Sequence, residues 1–171
     1  STKLTFSEDK FFVVRFNLDS IPRSATILNA TLTLSDHFGP RGYIGLVLTD
    51  MIASVGSEIG FKGNKVCKEH NIDENTVVPT TGDERLEVTV TNFVQQSKNN
   101  KLAFFVISNE DEESTVSGIE GSGQPTLKVD WTIIQCSQNI LQCNCSIATT
   151  SVYSCDGSFN GQYIVPAETS I

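Results

Sequence analysis

Five cysteines and two histidines are the residues of this chain most suited to chemistry: Cys67, Cys136, Cys143, Cys145 and Cys155, with His37 and His70. Four of the cysteines crowd into the stretch 136–155. Zinc sites need paired ligand spacings such as Cys-x-x-Cys with a nearby partner pair. No such spacing occurs, and neither histidine is close in sequence to the cluster. Disulfides are therefore the expected use of these thiols, which implies an oxidising compartment. Cys143 and Cys145 flank only Asn144, so each is expected to pair elsewhere and not with the other. An odd count leaves one thiol over, and Cys67 stands apart from the cluster. Two sequons, at Asn29 and Asn144, mark candidate N-glycosylation sites and agree with an extracellular or cell-surface location.

Other chemistries lack their signatures. Serines are plentiful, but no Gly-x-Ser-x-Gly elbow is present. His37 lies in a Gly-Pro turn and His70 in a polar loop, so no enzyme, catalytic residue or cofactor is expected. The acidic run Glu110, Asp111, Glu112 and Glu113 has no calcium-loop spacing and reads as a solvated loop. Sugar binding calls for exposed aromatic platforms. Phe38, Tyr43, Phe61, Tyr153 and Phe159 are candidates, each alone in sequence, whereas Trp131 falls on an inward position. A net charge of −8 and the absence of a basic run argue against a nucleic-acid partner. No apolar run approaches the roughly 20 residues of a spanning helix, so no membrane insertion is expected.

The elements that carry these residues read as strands. Phe12, Val14, Phe16 and Leu18 alternate with Val13, Arg15 and Asn17, placing one set inward. Ala30, Leu32 and Leu34 alternate with Thr31, Thr33 and Ser35, and Tyr43–Leu48 is a short apolar strand. Residues 51–82, punctuated by glycines and Pro79, are expected as loops with one or two short strands. Leu86, Val88 and Val90 form a further half-buried strand, and Thr91–Ser97 a single helical turn. Leu102–Ile107 is apolar throughout, as in a strand buried on both faces. Leu127, Val129 and Trp131 alternate in the last clear strand before composition changes after Ile134. The expected fold is an all-β, jelly-roll-like antiparallel sandwich over residues 1–134, with a Cys-rich extension over 135–171 that ends in a short strand.

Several of these segments resemble one family. Phe12–Pro22 is similar to an opening strand of "LRFDLSSIP" type, and Ala25–Leu34 to the strand that follows it. Leu86–Val94 and Gln124–Trp131 resemble its later strands. In order and spacing, residues of about 3–132 resemble the DNRLRE-type domains, jelly-roll sandwiches related to carbohydrate-binding modules. That resemblance implies a non-catalytic module on secreted or cell-surface proteins. Members of that family carry a further strand before the segment where Ser1–Phe6 stands, and the run from Tyr163 to Ile171 read on into Ser1–Leu4 resembles it. Gln162, Tyr163, Ile164 and Val165 are therefore expected to act as a donor strand that completes the sandwich of the next copy. The alternatives are a tail folded on its own sandwich and a linker to another domain. The expected partners are copies of the same chain in a head-to-tail homopolymer, that is, a filament or surface appendage; the alternative is a glycan, for a carbohydrate-binding or adhesive module.

Overall fold

The computed structural model describes residues 3–48, 51–55, 58–69, 77–97, 102–118, 123–133, 140–155 and 162–164. In chain order the elements are β1 (Lys3–Phe6), β2 (Lys10–Phe16), β3 (Thr26–Leu34), β4 (Tyr43–Leu46), β5 (Ile52–Val55), β6 (Glu58–Phe61), α1 (Gly63–Glu69) and β7 (Val77–Pro79). They continue as β8 (Leu86–Thr89), α2 (Thr91–Ser97), β9 (Leu102–Ile107), β10 (Ser114–Ser117), β11 (Thr126–Thr132), β12 (Leu141–Cys145), β13 (Ile147–Ser154) and β14 (Gln162–Ile164).

These strands build an antiparallel sandwich. One sheet has the order β12-β11-β3-β8, and the other β14-β13-β2-β9-β4-β7. Between them lie Phe12, Val14 and Phe16 of β2, Ala30, Leu32 and Leu34 of β3, Phe104 and Val106 of β9, and Leu127, Val129 and Trp131 of β11. The period-two pattern puts these side chains on the inner faces, where each large one contributes roughly 1.5–3 kcal/mol by leaving water. Leu4, Phe6 and Val116 from the β1–β10 ribbon join the same core. α2 packs Phe93 and Val94 onto it, and Thr91 Oγ1 accepts a hydrogen bond from the Ala30 amide at 3.0 Å.

A second core lies on the far face of the six-stranded sheet. Phe11 and Val13 of β2 and Phe105 and Ile107 of β9 are buried there against Met51, Val66 of α1 and Val77. The run Phe11-Phe12-Val13-Val14 is therefore buried on both sides, as are Phe104, Phe105, Val106 and Ile107 of β9. Residues 51–69 supply the cover with the β5–β6 hairpin and α1, where the sequence suggests only loops and short strands. The helix has no apolar stripe beyond Val66 and Cys67 to announce it.

The larger departure is at the C-terminal end. Residues 141–154, read from sequence as part of an extension, lie inside both sheets. β12 pairs with β11, matching Cys143 to Val129 and Cys145 to Leu127. The chain turns at Ser146, whose carbonyl accepts from the Asn17 amide at 2.9 Å. β13 then pairs with β2 along seven residue pairs, from Ile147↔Phe16 to Ser154↔Lys10. β-Branched residues in Ile147–Ser154 satisfy strand geometry although their polar character masks the pattern. A bulge opposite Asp130 and Trp131 leaves Leu28 unmatched and 43% exposed.

Candidate functional site

The edges of the two sheets and the thiols beside them form the candidate site. An edge strand presents unpaired backbone donors and acceptors, and proteins usually block it. The edges at β7, β8 and β12 differ in this respect.

β7 closes one side of the six-stranded sheet. The Thr80 amide donates to the Gly42 carbonyl at 2.8 Å, so Thr80 faces β4. By alternation, Pro79 falls where an N–H would point outward, and proline has none to offer. β8 closes the neighbouring side of the other sheet. Its Glu87 exchanges two backbone hydrogen bonds with Thr81, at 2.9 and 3.3 Å, and the Thr81 hydroxyl donates to the Glu87 carbonyl at 2.9 Å. Between these two edges runs an open groove of about 420 Å³ lined by Thr31, Val78, Pro79, Thr81, Glu87, Val88 and Thr89.

β12 is different. It is the outermost strand of its sheet, and its sequence Leu-Gln-Cys-Asn-Cys holds no charge, proline or glycine. Among the described residues no strand pairs with its outer edge. Ile140 and Leu141 are 66% and 45% exposed at its start. Cys143 and Cys145 share the inner face, with their sulfurs 3.0 Å apart. The Ser20 hydroxyl lies 2.9 Å from the Cys143 sulfur. Cys143 is half-buried and Cys145 buried, and neither is in a disulfide. Burial foremost, then the hydrogen bond and charge of Cys143, push the Cys145 thiol far above its ordinary value.

Cys67 and Cys155 form a disulfide that ties α1 to the end of β13. Cys136 lies outside the described residues. β14 follows the disulfide and pairs with β13 of its own chain: Gln162↔Val152, Tyr163↔Ser151 and Ile164↔Thr150. Val165 lies outside the described residues.

Searches of protein-family models, of curated proteins and of solved structures return no match to this chain.

The remaining sequence candidates are scattered. The two ring nitrogens of buried His37 lie 2.5 Å from the Asp83 carbonyl and 3.0 Å from that of Pro40, and the ring stacks on Phe6. It is a pin between two turns. His70 lies outside the described residues. Of the acidic run, Glu113 pairs with Lys10 at 2.7 Å, and Glu110 accepts from the Glu8 amide through its carbonyl. Among the described residues no three His, Cys, Asp or Glu side chains converge as a metal site. Phe38 is 66% exposed beneath the Lys3 ammonium, 5.3 Å from the ring centre. The Tyr43 hydroxyl accepts from Asn109 at 3.2 Å. Phe159 lies outside the described residues, and Phe61 and Tyr153 are placed in β6 and β13. Trp131 is buried in the main core.

Both sequon asparagines are exposed and stand on the outer face of the four-stranded sheet. Asn29 lies opposite Asp130, and Asn144 opposite Lys128, so they occupy adjacent rows of one face. Sequence reading finds the two sites but not their common face, because that needs β12 to be recognised as a strand.

Proposed function

We propose that this chain is a non-catalytic structural subunit of an extracellular assembly, a filament or surface appendage built by passing the strand Gln162–Val165 from one copy to the next. The observation that carries the reading is the position of the disulfide relative to β14. Cys155 is anchored to Cys67 immediately after β13, and β14 follows at the outermost place in the sheet, held by three residue pairs. A strand placed there makes equivalent backbone bonds to its own β13 or to that of a neighbour, so exchange leaves the sandwich intact. A head-to-tail contact of this kind that does not close a ring continues as an open filament. A disulfide between segments 88 positions apart in sequence suits an oxidising location. Among the described residues no helix is long and apolar enough to cross a membrane. The resemblance to DNRLRE-type domains is in keeping with a secreted, non-enzymatic module.

Negative-stain electron microscopy of the non-reduced protein tests this. Regular fibres are expected, and a Tyr163→Asp, Val165→Asp variant is expected to lose them while unfolding at the same temperature. Normal assembly by that variant removes the tail from the role. A second reading, a glycan-binding module, draws on the groove at the β7 and β8 edges, where threonine hydroxyls and the Glu87 carboxylate stand beside apolar Val78, Pro79 and Val88. Binding on a glycan array that is lost in Glu87→Ala favours this second reading.

A further inference from the structure

Five cysteines cannot all be satisfied within one chain, and the disulfide between Cys67 and Cys155 leaves three. Two of the three stand on β12, the edge that carries no charge, proline or clasp. We propose that the outer edge of β12 is an interface with a second copy of this chain, and that Cys143 is the residue that links the two copies covalently.

The strand is self-complementary about its own centre. β12 runs from Leu141 to Cys145, so Cys143 is its middle residue. Antiparallel pairing about a two-fold axis at that point sets Cys143 against Cys143 of the second copy. Gln142 then faces Asn144, and Leu141 faces Cys145. Amide meets amide on the outer face, and half-exposed Leu141 covers a buried sulfur on the inner face. Directly opposed residues in antiparallel strands have Cα atoms about 4.5 or 5.5 Å apart, and both separations lie within the range that a disulfide spans. An isologous contact of this type closes as a dimer.

Two further points select Cys143 over its neighbour. It is half-buried beside exposed Ser20, whereas Cys145 is buried. Burial also holds the proton on Cys145, which disfavours that neighbour as the attacking thiolate. The reaction is thiol–disulfide exchange with a low-molecular-weight disulfide such as glutathione disulfide. The Cys143 thiolate attacks one glutathione sulfur and releases glutathione thiolate. The thiolate of the second copy then attacks the mixed disulfide at the protein sulfur. Two protein thiols and one glutathione disulfide become one protein disulfide and two glutathione molecules. A seam of five residues is small beside the roughly 1,000 Å² that a stable non-covalent interface needs. The linkage is therefore what makes the pair last. The Asn144 side chain stands on the outer face, perpendicular to the seam, so a glycan there leaves the edge open.

The test is non-reducing electrophoresis and intact mass of the full chain in a glutathione redox buffer. A linked dimer is expected that reverts to monomer on reduction. Cys143→Ser is expected to stay monomeric, while Cys136→Ser and Cys145→Ser still link. A Gln142→Lys, Asn144→Lys variant sets like charges across the seam twice and is expected to slow linkage about tenfold. Because the chain is acidic, those lysines lower the overall repulsion, so slower linkage reports the seam itself. Gln142→Lys with Asn144→Glu restores opposite charges and is expected to restore the rate. Dimers that persist in Cys143→Ser, a wild-type chain that stays monomeric, or equal rates in the two charge variants would overturn the proposal. The contact needs nothing from β14, so the Tyr163→Asp, Val165→Asp variant is expected to link as the wild type does. The two associations thus stand or fall separately.

Discussion

Cys155 is bonded to Cys67 across 88 positions of sequence, one residue beyond the point where Ser154 pairs with Lys10 of β2. The bond joins the cover of the second core to the sheet that it covers. Val66 of α1 packs beside Phe11 and Val13, and Cys67 and Cys155 border the same cluster. A loop of this length restricts the unfolded chain by about 4.5 kcal/mol in the chain-entropy description. Cys67→Ser and Cys155→Ser are therefore each expected to lower stability by about 2–5 kcal/mol. Urea unfolding followed by the fluorescence of Trp131, the only tryptophan, measures this. Because both changes break one bond, the double variant is expected to match either single one.

Trp131 gives a second prediction. It is buried on the inner face of β11 opposite Leu141 and Ile27, and among the described residues its indole N–H has no hydrogen-bond partner. A buried donor without a partner costs about 1–3 kcal/mol. Trp131→Phe removes that donor and keeps most of the apolar ring, so it is expected to change stability by less than about 1.5 kcal/mol. Trp131→Ala opens a cavity and is expected to cost about 3–5 kcal/mol. Thermal unfolding by circular dichroism separates the two.

Much of this fold is legible in the sequence where alternation is strong. Phe12–Phe16, Ala30–Leu34, Leu86–Val88 and Leu127–Trp131 announce their inner faces, and all of them reach the main core. Residues 141–154 do not, because cysteines take the inner positions of β12 and the serines and threonines among residues 147–154 lower the apolar contrast that periodicity depends on. The cover over the second core is hidden for another reason. Met51, Val66 and Val77 are far apart in sequence, and only the fold brings them to one surface. The thiol chemistry shares that limit. Sequence gives the odd count, but the pairing of Cys67 with Cys155 and the contact of Cys143 with Cys145 depend on where β12 and β13 lie.

The raised Cys145 thiol predicts an alkaline weakness. With Cys143 and Cys145 as thiols, the folded chain holds the Cys145 proton more tightly than the unfolded chain does. Such a group contributes stability that is fully present below the unfolded value of about 8.5 and declines as pH rises above it. Between the two values the unfolded state binds fewer protons, so unfolding grows easier by about 1.4 kcal/mol per pH unit. Urea midpoints at a series of pH values from neutral to alkaline are expected to fall faster for the wild type than for Cys145→Ala. Parallel curves would show that Cys145 is not the group responsible.

The sharpest packing prediction concerns Gly45 and Phe105, which are matched across β4 and β9. The Phe105 ring lies over Gly45 so closely that an added Cβ would stand 2.2 Å from its Cζ atom. The ring fills the space that a side chain on β4 would need, and Phe105 is itself fully buried in the second core. Gly45→Ala therefore forces the ring from its place and is expected to cost about 1–3 kcal/mol as overpacking. Phe105→Leu alone loses aromatic contact area and is also destabilising. Combined, the shorter side chain gives the new methyl group room, so the double variant is expected to be more stable than the sum of the single losses by at least about 0.5 kcal/mol. A double-mutant cycle from urea unfolding measures that coupling. Strict additivity would mean that the two sites do not compete for the same space.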